Sequence, residues 1–100
     1  DNRAPRVEEL EAKRQRDGSY EFVGICVDEH SRISAIEVSH GSGPWQPVSP
    51  DDGILDAGEE TFSYVTDVLD PGEHVFAFAA ADEADNLGSR QLVIVVEREQ

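Results

Sequence analysis

The sequence predicts an all-β domain, a sandwich of about seven antiparallel strands. Three observations lead there. Short runs rich in β-branched and aromatic residues recur along the 100 residues. Turn chemistry separates them: Asp17-Gly18, Gly41-Ser42-Gly43-Pro44, Asp70-Pro71-Gly72, and Asp85-Asn86 followed by Gly88. Finally, only residues 6–15 carry a helix-compatible spacing, with Glu9 four residues before Lys13. A helix there would have only Val7 and Leu10 to bury, so a strand is expected.

Taken in order, residues 1–5 form a linker-like start, and Pro5, lacking a donor, suits a strand beginning or an edge. The first strand alternates Val7, Glu9 and Glu11 against Glu8, Leu10 and Ala12. Tyr20 to Asp28 is the second, with Phe22, Gly24 and Cys26 on one face and Val23, Ile25 and Val27 on the other; two apolar faces mark a central strand. Ile33 to His40 is the third. Trp45 to Val48 is a short fourth strand. A loop of residues 49–58 follows, with Ile54 and Leu55 expected to pin it to the body. Glu60 to Asp67 is the fifth, with Phe62 and Tyr64 inward. Glu73 to Ala81 is the longest unbroken run and the sixth strand: His74, Phe76, Phe78 and Ala80 share one face, Val75, Ala77, Ala79 and Ala81 the other. Arg90 to Glu97 is the seventh. The second and sixth strands end alike, in Cys26-Val27-Asp28-Glu29 and Ala80-Ala81-Asp82-Glu83, as two strands closing at one level.

Length gives one domain over residues 1–100. The start at Asp1, without an initiator Met or signal peptide, leads us to expect a fragment of a longer protein. Charge is lopsided: 22 acids against 8 bases, net −14. That disfavours nucleic acid and anionic lipid as partners, because the phosphate contribution would be repulsive. No apolar run approaches the length of a membrane span, so no membrane insertion is expected. Solubility, cation affinity and adaptation to salt all remain compatible with such acidity.

Seven strands in this spacing match the immunoglobulin and fibronectin type III plan. Leu69-Asp70-Pro71-Gly72-Glu73-His74 resembles the turn into strand F of fibronectin type III-like domains, where an aromatic usually stands at the position of His74. Ala80-x-Asp82-x-x-x-Asn86-x-Gly88 is similar to the end of strand F in many bacterial immunoglobulin-like modules. Gly43-Pro44-Trp45 with Pro50-x-Asp52-Gly53 resembles variants attached to secreted bacterial enzymes and β-propellers. The likeness covers nearly the whole chain. It departs from antibody-type domains in lacking their disulfide, since the one cysteine, Cys26, faces Ala80 in the pattern. The resemblance implies a non-catalytic accessory module: a spacer, adaptor or protein-interaction domain in a larger bacterial protein, located outside the cell, in the periplasm or on the surface. Its partners would be neighbouring domains of its own chain, or another protein or a glycan.

No catalytic constellation stands out. His30, His40 and His74 have neither HxH nor HExxH spacing. Ser31 beside His30 lacks a GxSxG elbow, and adjacent residues in a turn rarely point together, as a triad requires. Cys26, mid-strand between Ile25 and Val27, is expected to be a buried inert thiol. No cofactor is expected. Trp45 has two uses open to it: a core or half-core position, favoured because large side chains are few, or an exposed aromatic for a sugar or partner.

Strand parity gathers acids at one end. Asp28, Glu29, Asp51, Asp52, Asp56, Glu59, Glu60, Asp82, Glu83 and Asp85 are expected there, ten of the 22. Asp28, Asp82 and Asp85 are weak calcium candidates, since calcium takes loop carboxylates, but the DxDxDG pattern with its closing Glu is absent. The competing expectation is that Asp28 and Asp82 cap their own turns while the other acids are solvated. On that basis divalent cations would bind weakly and without a preformed site. The same parity puts the first strand's start and the last strand's finish at opposite ends.

Overall fold

A computed structural model describes residues 4–55 and 57–97. The seven strands are β1 (Arg6–Arg14), β2 (Tyr20–Val27), β3 (Ile33–His40), β4 (Gln46–Pro47), β5 (Glu59–Val65), β6 (Gly72–Asp82) and β7 (Leu87–Val96). They form two antiparallel sheets, β1-β2-β5 and β4-β3-β6-β7. The central strands β2 and β6 supply the facing core rows. Phe22 and Cys26 of β2 meet Phe76, Phe78 and Ala80 of β6, all essentially inaccessible to water. The Phe22 ring lies 4.7 Å from Phe76 and 5.2 Å from Phe78, and Phe62 of β5 stacks 5.3 Å from Phe78. Four phenylalanines joined in this way are the apolar mass that offsets the low aromatic content.

β1 departs from simple alternation. Val7 and Leu10, three residues apart, are both buried. The register jumps from Glu8↔Ile25 to Glu11↔Val23, and Glu9 takes φ 53°. This β-bulge inserts a residue and returns Leu10 to the core side that Val7 already occupies. The helix-like spacing of these two residues thus belongs to a bulged strand.

The ends of the sandwich follow from the registers. Arg6↔Val27 and Val27↔Glu59 put the start of β1, the end of β2 and the start of β5 together. Ile33 N donating to Ala57 O, and Ile33↔Asp82, add the start of β3 and the end of β6. Gly72↔Val96 sets the end of β7 at the far end. The first strand therefore begins where the last does not finish, along a body 53 Å in its longest dimension.

Two expectations for side chains fail. Trp45 is 47% exposed, because β4 is only two residues long and pairs with β3 at Gln46 and Pro47, leaving Trp45 outside the ladder. Ile54 is exposed; of the expected pair Leu55 packs against the core, and Val48 and Pro50 join it in holding the loop. Pro50 bridges to Phe62.

Candidate functional site

The site at the loop end grows out of strand parity. β2 turns Phe22, Gly24 and Cys26 inward, and the next residue of that row is Asp28. β6 turns Phe76, Phe78 and Ala80 inward, and the next is Asp82. Each core row ends in a carboxylate. The rows belong to opposite sheets, so Asp28 and Asp82 approach across the sandwich, not as neighbours in one sheet. Asp28 is 7% exposed and Asp82 2%.

Asp82 is saturated with donors. Its Oδ1 accepts from the amides of Ala84 and Asn86, both at 2.9 Å, and its Oδ2 from Asn86 Nδ2 at 3.1 Å. Burial pushes this carboxyl up, but the Asn86 side chain and amide, the Asp28 carboxyl within hydrogen-bonding reach, and the Ala84 amide outweigh that and hold it below the usual carboxylate range. Asp28 is less well served. Its Oδ1 accepts from His30 N at 2.8 Å, while its Oδ2 is buried with no donor. The turn-capping role expected of both residues is what their hydrogen bonds do.

Around this pair the acids are distributed more widely than parity alone suggests. Glu83 receives Arg32 bidentately at 2.6 and 3.1 Å, and Arg32 holds its carboxyl below the usual range. Arg6 joins Glu8 at 2.6 Å and Glu29 at 3.1 Å. Glu60 is buried and accepts from Ala57 N through Oε2. Asp85 sits in the β6–β7 turn at φ 66° with its side chain exposed. Asp51 is drawn away to the flank: its amide donates to Thr61 O and its Oδ1 accepts from Ser63, both midway along β5. That corrects its placement at the loop end. Asp56 lies outside the described residues. Among the described residues, no three His, Cys, Asp or Glu side chains group as metal ligands would. Of the calcium candidates, Asp28 and Asp82 come together, and Asp85 stays on the outer side of its turn.

The remaining residues of interest are elsewhere. Cys26 is buried and unpaired, and burial, with the Glu60 charge adding to it, pushes its thiol up to about 12. Trp45 is exposed, and its sequence neighbours Pro44 and Gln46 line a groove with His40, Tyr64 and Asp67. His40 Nε2 meets His74 Nδ1 at 2.9 Å, and His74 Nε2 reaches Asp70 O at 2.7 Å. A carbonyl only accepts, so His74 donates through Nε2, and a neutral His74 accepts from His40. The separation of 34 residues between the two histidines hid this chain from any spacing rule. Pairing of β3 with β6, with His40 opposite Phe76 beside His74, creates it.

Two facing antiparallel sheets in these strand orders define an immunoglobulin-like β-sandwich. No protein-family model and no curated protein matches the sequence. Solved structures do match. The PKD1 domain of Vibrio anguillarum Epp aligns over 99% of this chain and 100% of its own, with a TM-score of 0.64 at 16% identity. The PKD1 domain of the Vibrio cholerae metalloprotease PrtV aligns over 96% and 100%, with a TM-score of 0.64 at 18% identity. The sulfane dehydrogenase SoxCD of Paracoccus pantotrophus contains a similar region: 88% of this chain corresponds to 30% of that one, with a TM-score of 0.63 at 18% identity. At such identities the likeness is one of fold.

Proposed function

We propose that this domain is a non-catalytic spacer or adaptor within a larger exported bacterial protein. The observation that carries this reading is the placement of the start of β1 and the end of β7 at opposite ends of a 53 Å body. A chain entering at one end and leaving at the other separates its neighbours by the length of the sandwich. The β6–β7 ladder runs unbroken through ten residue pairs and stiffens that axis. Similarity to PKD1 domains over their whole length, one of them from a metalloprotease, supports a module of this kind outside the cell. Its partners would be the domains that flank it, and no cofactor takes part. The test is to replace residues 1–100 of the parent polypeptide by a flexible linker. Neighbouring domains should keep their intrinsic activity on small soluble substrates and lose their fixed separation, read by small-angle scattering. Loss of the activity itself would overturn the reading.

One observation favours a second function. Trp45 is exposed, next in sequence to Pro44 and Gln46 of a groove that His40, Tyr64 and Asp67 also line. An exposed aromatic face suits a sugar ring or a partner side chain. Titrating the tryptophan fluorescence with soluble oligosaccharides should give a saturable change that Trp45→Ala abolishes; a flat titration removes this alternative.

A further inference from the structure

The strongest unexplained feature is the meeting of two buried carboxyls. Asp82 already accepts three hydrogen bonds, which suits an ionised acceptor. Asp28 Oδ2 is sealed from water and has no donor among the described residues, and the Asp28 carboxyl lies within hydrogen-bonding reach of that of Asp82. Were both ionised, two negative charges would face each other in a poorly hydrated space, and one oxygen would be desolvated without a partner. A single proton removes both penalties. It neutralises one member and turns the orphaned acceptor into a donor.

We propose that the folded domain keeps one proton on this pair at neutral pH, carried by Asp28 Oδ2 and donated to Asp82. Among the described residues, the charged groups around the pair are already engaged. Arg32, at the start of β3, is engaged by Glu83 of the β6–β7 turn, and Arg6 of β1 by Glu8 and Glu29. Glu60 of β5 adds a further buried acid, whose Oε2 takes an amide. The exposed His30 contributes its backbone N–H to Asp28 Oδ1, and Asp85 is exposed. A cation such as calcium takes about six to eight oxygens, and no third His, Cys, Asp or Glu joins the pair among the described residues.

Such a pair binds its proton on folding, because in the unfolded chain both aspartates are ionised at neutral pH. Stability from this source is complete below the ordinary aspartate range and declines as pH rises, until the folded pair itself releases the proton. The domain would thus loosen the junction of its two sheets in alkaline surroundings.

The test compares the wild-type chain with Asp28→Asn, whose amide can donate to Asp82 in the same place. Infrared spectra at neutral pH should show one protonated carboxyl in the wild type and none in the variant. Between about pH 6 and about pH 8, the wild-type folding constant should fall more steeply than that of the variant, by about tenfold per pH unit. Every other ionisable group is common to the two proteins, so its share cancels in the difference. Absence of the protonated band, or equal slopes, overturns the proposal. It is also overturned if calcium chloride at matched ionic strength raises the wild-type melting temperature and not that of the variant, since a cation then fills the gap. If Asp28→Asn does not fold, the wild-type spectrum alone decides.

Discussion

The β2–β3 and β6–β7 connections begin with the same chemistry and end differently. Both leave a core-facing row through an aspartate followed by a glutamate, Asp28-Glu29 and Asp82-Glu83. The β6–β7 connection is a hairpin within one sheet. Asp82 N donates to Asn86 O, Asp85 N to Asp82 O, and the residue four after the aspartate, Asn86, gives two donors to its carboxylate. The β2–β3 connection crosses from one sheet to the other. Its backbone partners lie in a different loop, with Asp28 N donating to Gly58 O and Ile33 N to Ala57 O. The residue four after Asp28 is Arg32, whose guanidinium goes to Glu83 instead. A closed hairpin thus satisfies its own cap, whereas a crossover leaves half of its cap for the opposite sheet to complete. Identical capping residues do not make equivalent turns; the path of the chain decides where the donors are.

The largest effect that would break this comparison is expected at Gly88, just beyond the hairpin. A Cβ there would lie 1.8 Å from the Pro5 carbonyl oxygen, and Pro5 is among the most buried residues. Backbone must move, so Gly88→Ala should destabilise the domain by about 3 kcal/mol and free the segment before β1. Chemical denaturation and amide exchange of β1 would measure both. Gly58, which supports the crossover, is also crowded, with a Cβ 2.6 Å from Asp28 O. Gly58→Ala should cost less, about 1–2 kcal/mol, because a loop can shift where a paired strand cannot. Equal losses at the two glycines would mean that the hairpin is no more rigid than the crossover.

Asp82→Ala comes next and sharpens the contrast. It removes the acceptor of three hydrogen bonds from a buried position, and we expect a fall in melting temperature of about 10 °C. Its pH dependence has a definite sign. The folded carboxyl holds its proton less readily than the ordinary value of 3.8, so its stabilisation is present above that value and is lost as pH falls through the folded one. Wild type and variant should therefore converge in acid. A variant that keeps the wild-type melting temperature would show that the hairpin does not need its cap.

Most of this architecture was legible in the sequence. Turn residues and alternation locate all seven strands, and parity places the start of β1, the end of β7 and most of the acidic loops. Three features were hidden for separable reasons. The bulge at Glu9 has no glycine or proline to announce it, and a positive φ at glutamate is not a residue preference. Trp45 depended on how many residues β4 could pair, and a ladder of two is below what alternation can resolve. The burial of Asp28 and Asp82 was within reach. Extending the Phe22-Gly24-Cys26 and Phe76-Phe78-Ala80 rows by one step points both inward. The expectation stopped at the last apolar residue, because a carboxylate reads as the end of a core.

The smallest effect is expected on the surface above the pair. Arg32 and Glu83 form a bidentate ion pair, yet their side chains are 60% and 47% exposed. Water screens such a pair and its side-chain entropy opposes it, so geometry alone overstates its worth. The Glu83 carboxyl is held below the ordinary 4.5, chiefly by its hydrogen bond from Arg32, so what it contributes is present above that value and vanishes as pH falls through the folded one. Glu83→Gln should lower the melting temperature by no more than about 2 °C at neutral pH and low salt. The difference should shrink in about 0.5 M sodium chloride, where screening is strong. A fall as large as that of Asp82→Ala would mean that the ion pair, and not the buried cap beneath it, closes this end of the sandwich. The capping argument would then fail for the hairpin as well as for the crossover. A small, salt-sensitive change would leave Asn86 and the amides of the turn as the groups that hold Asp82, and would assign the acidity above them to solvation alone.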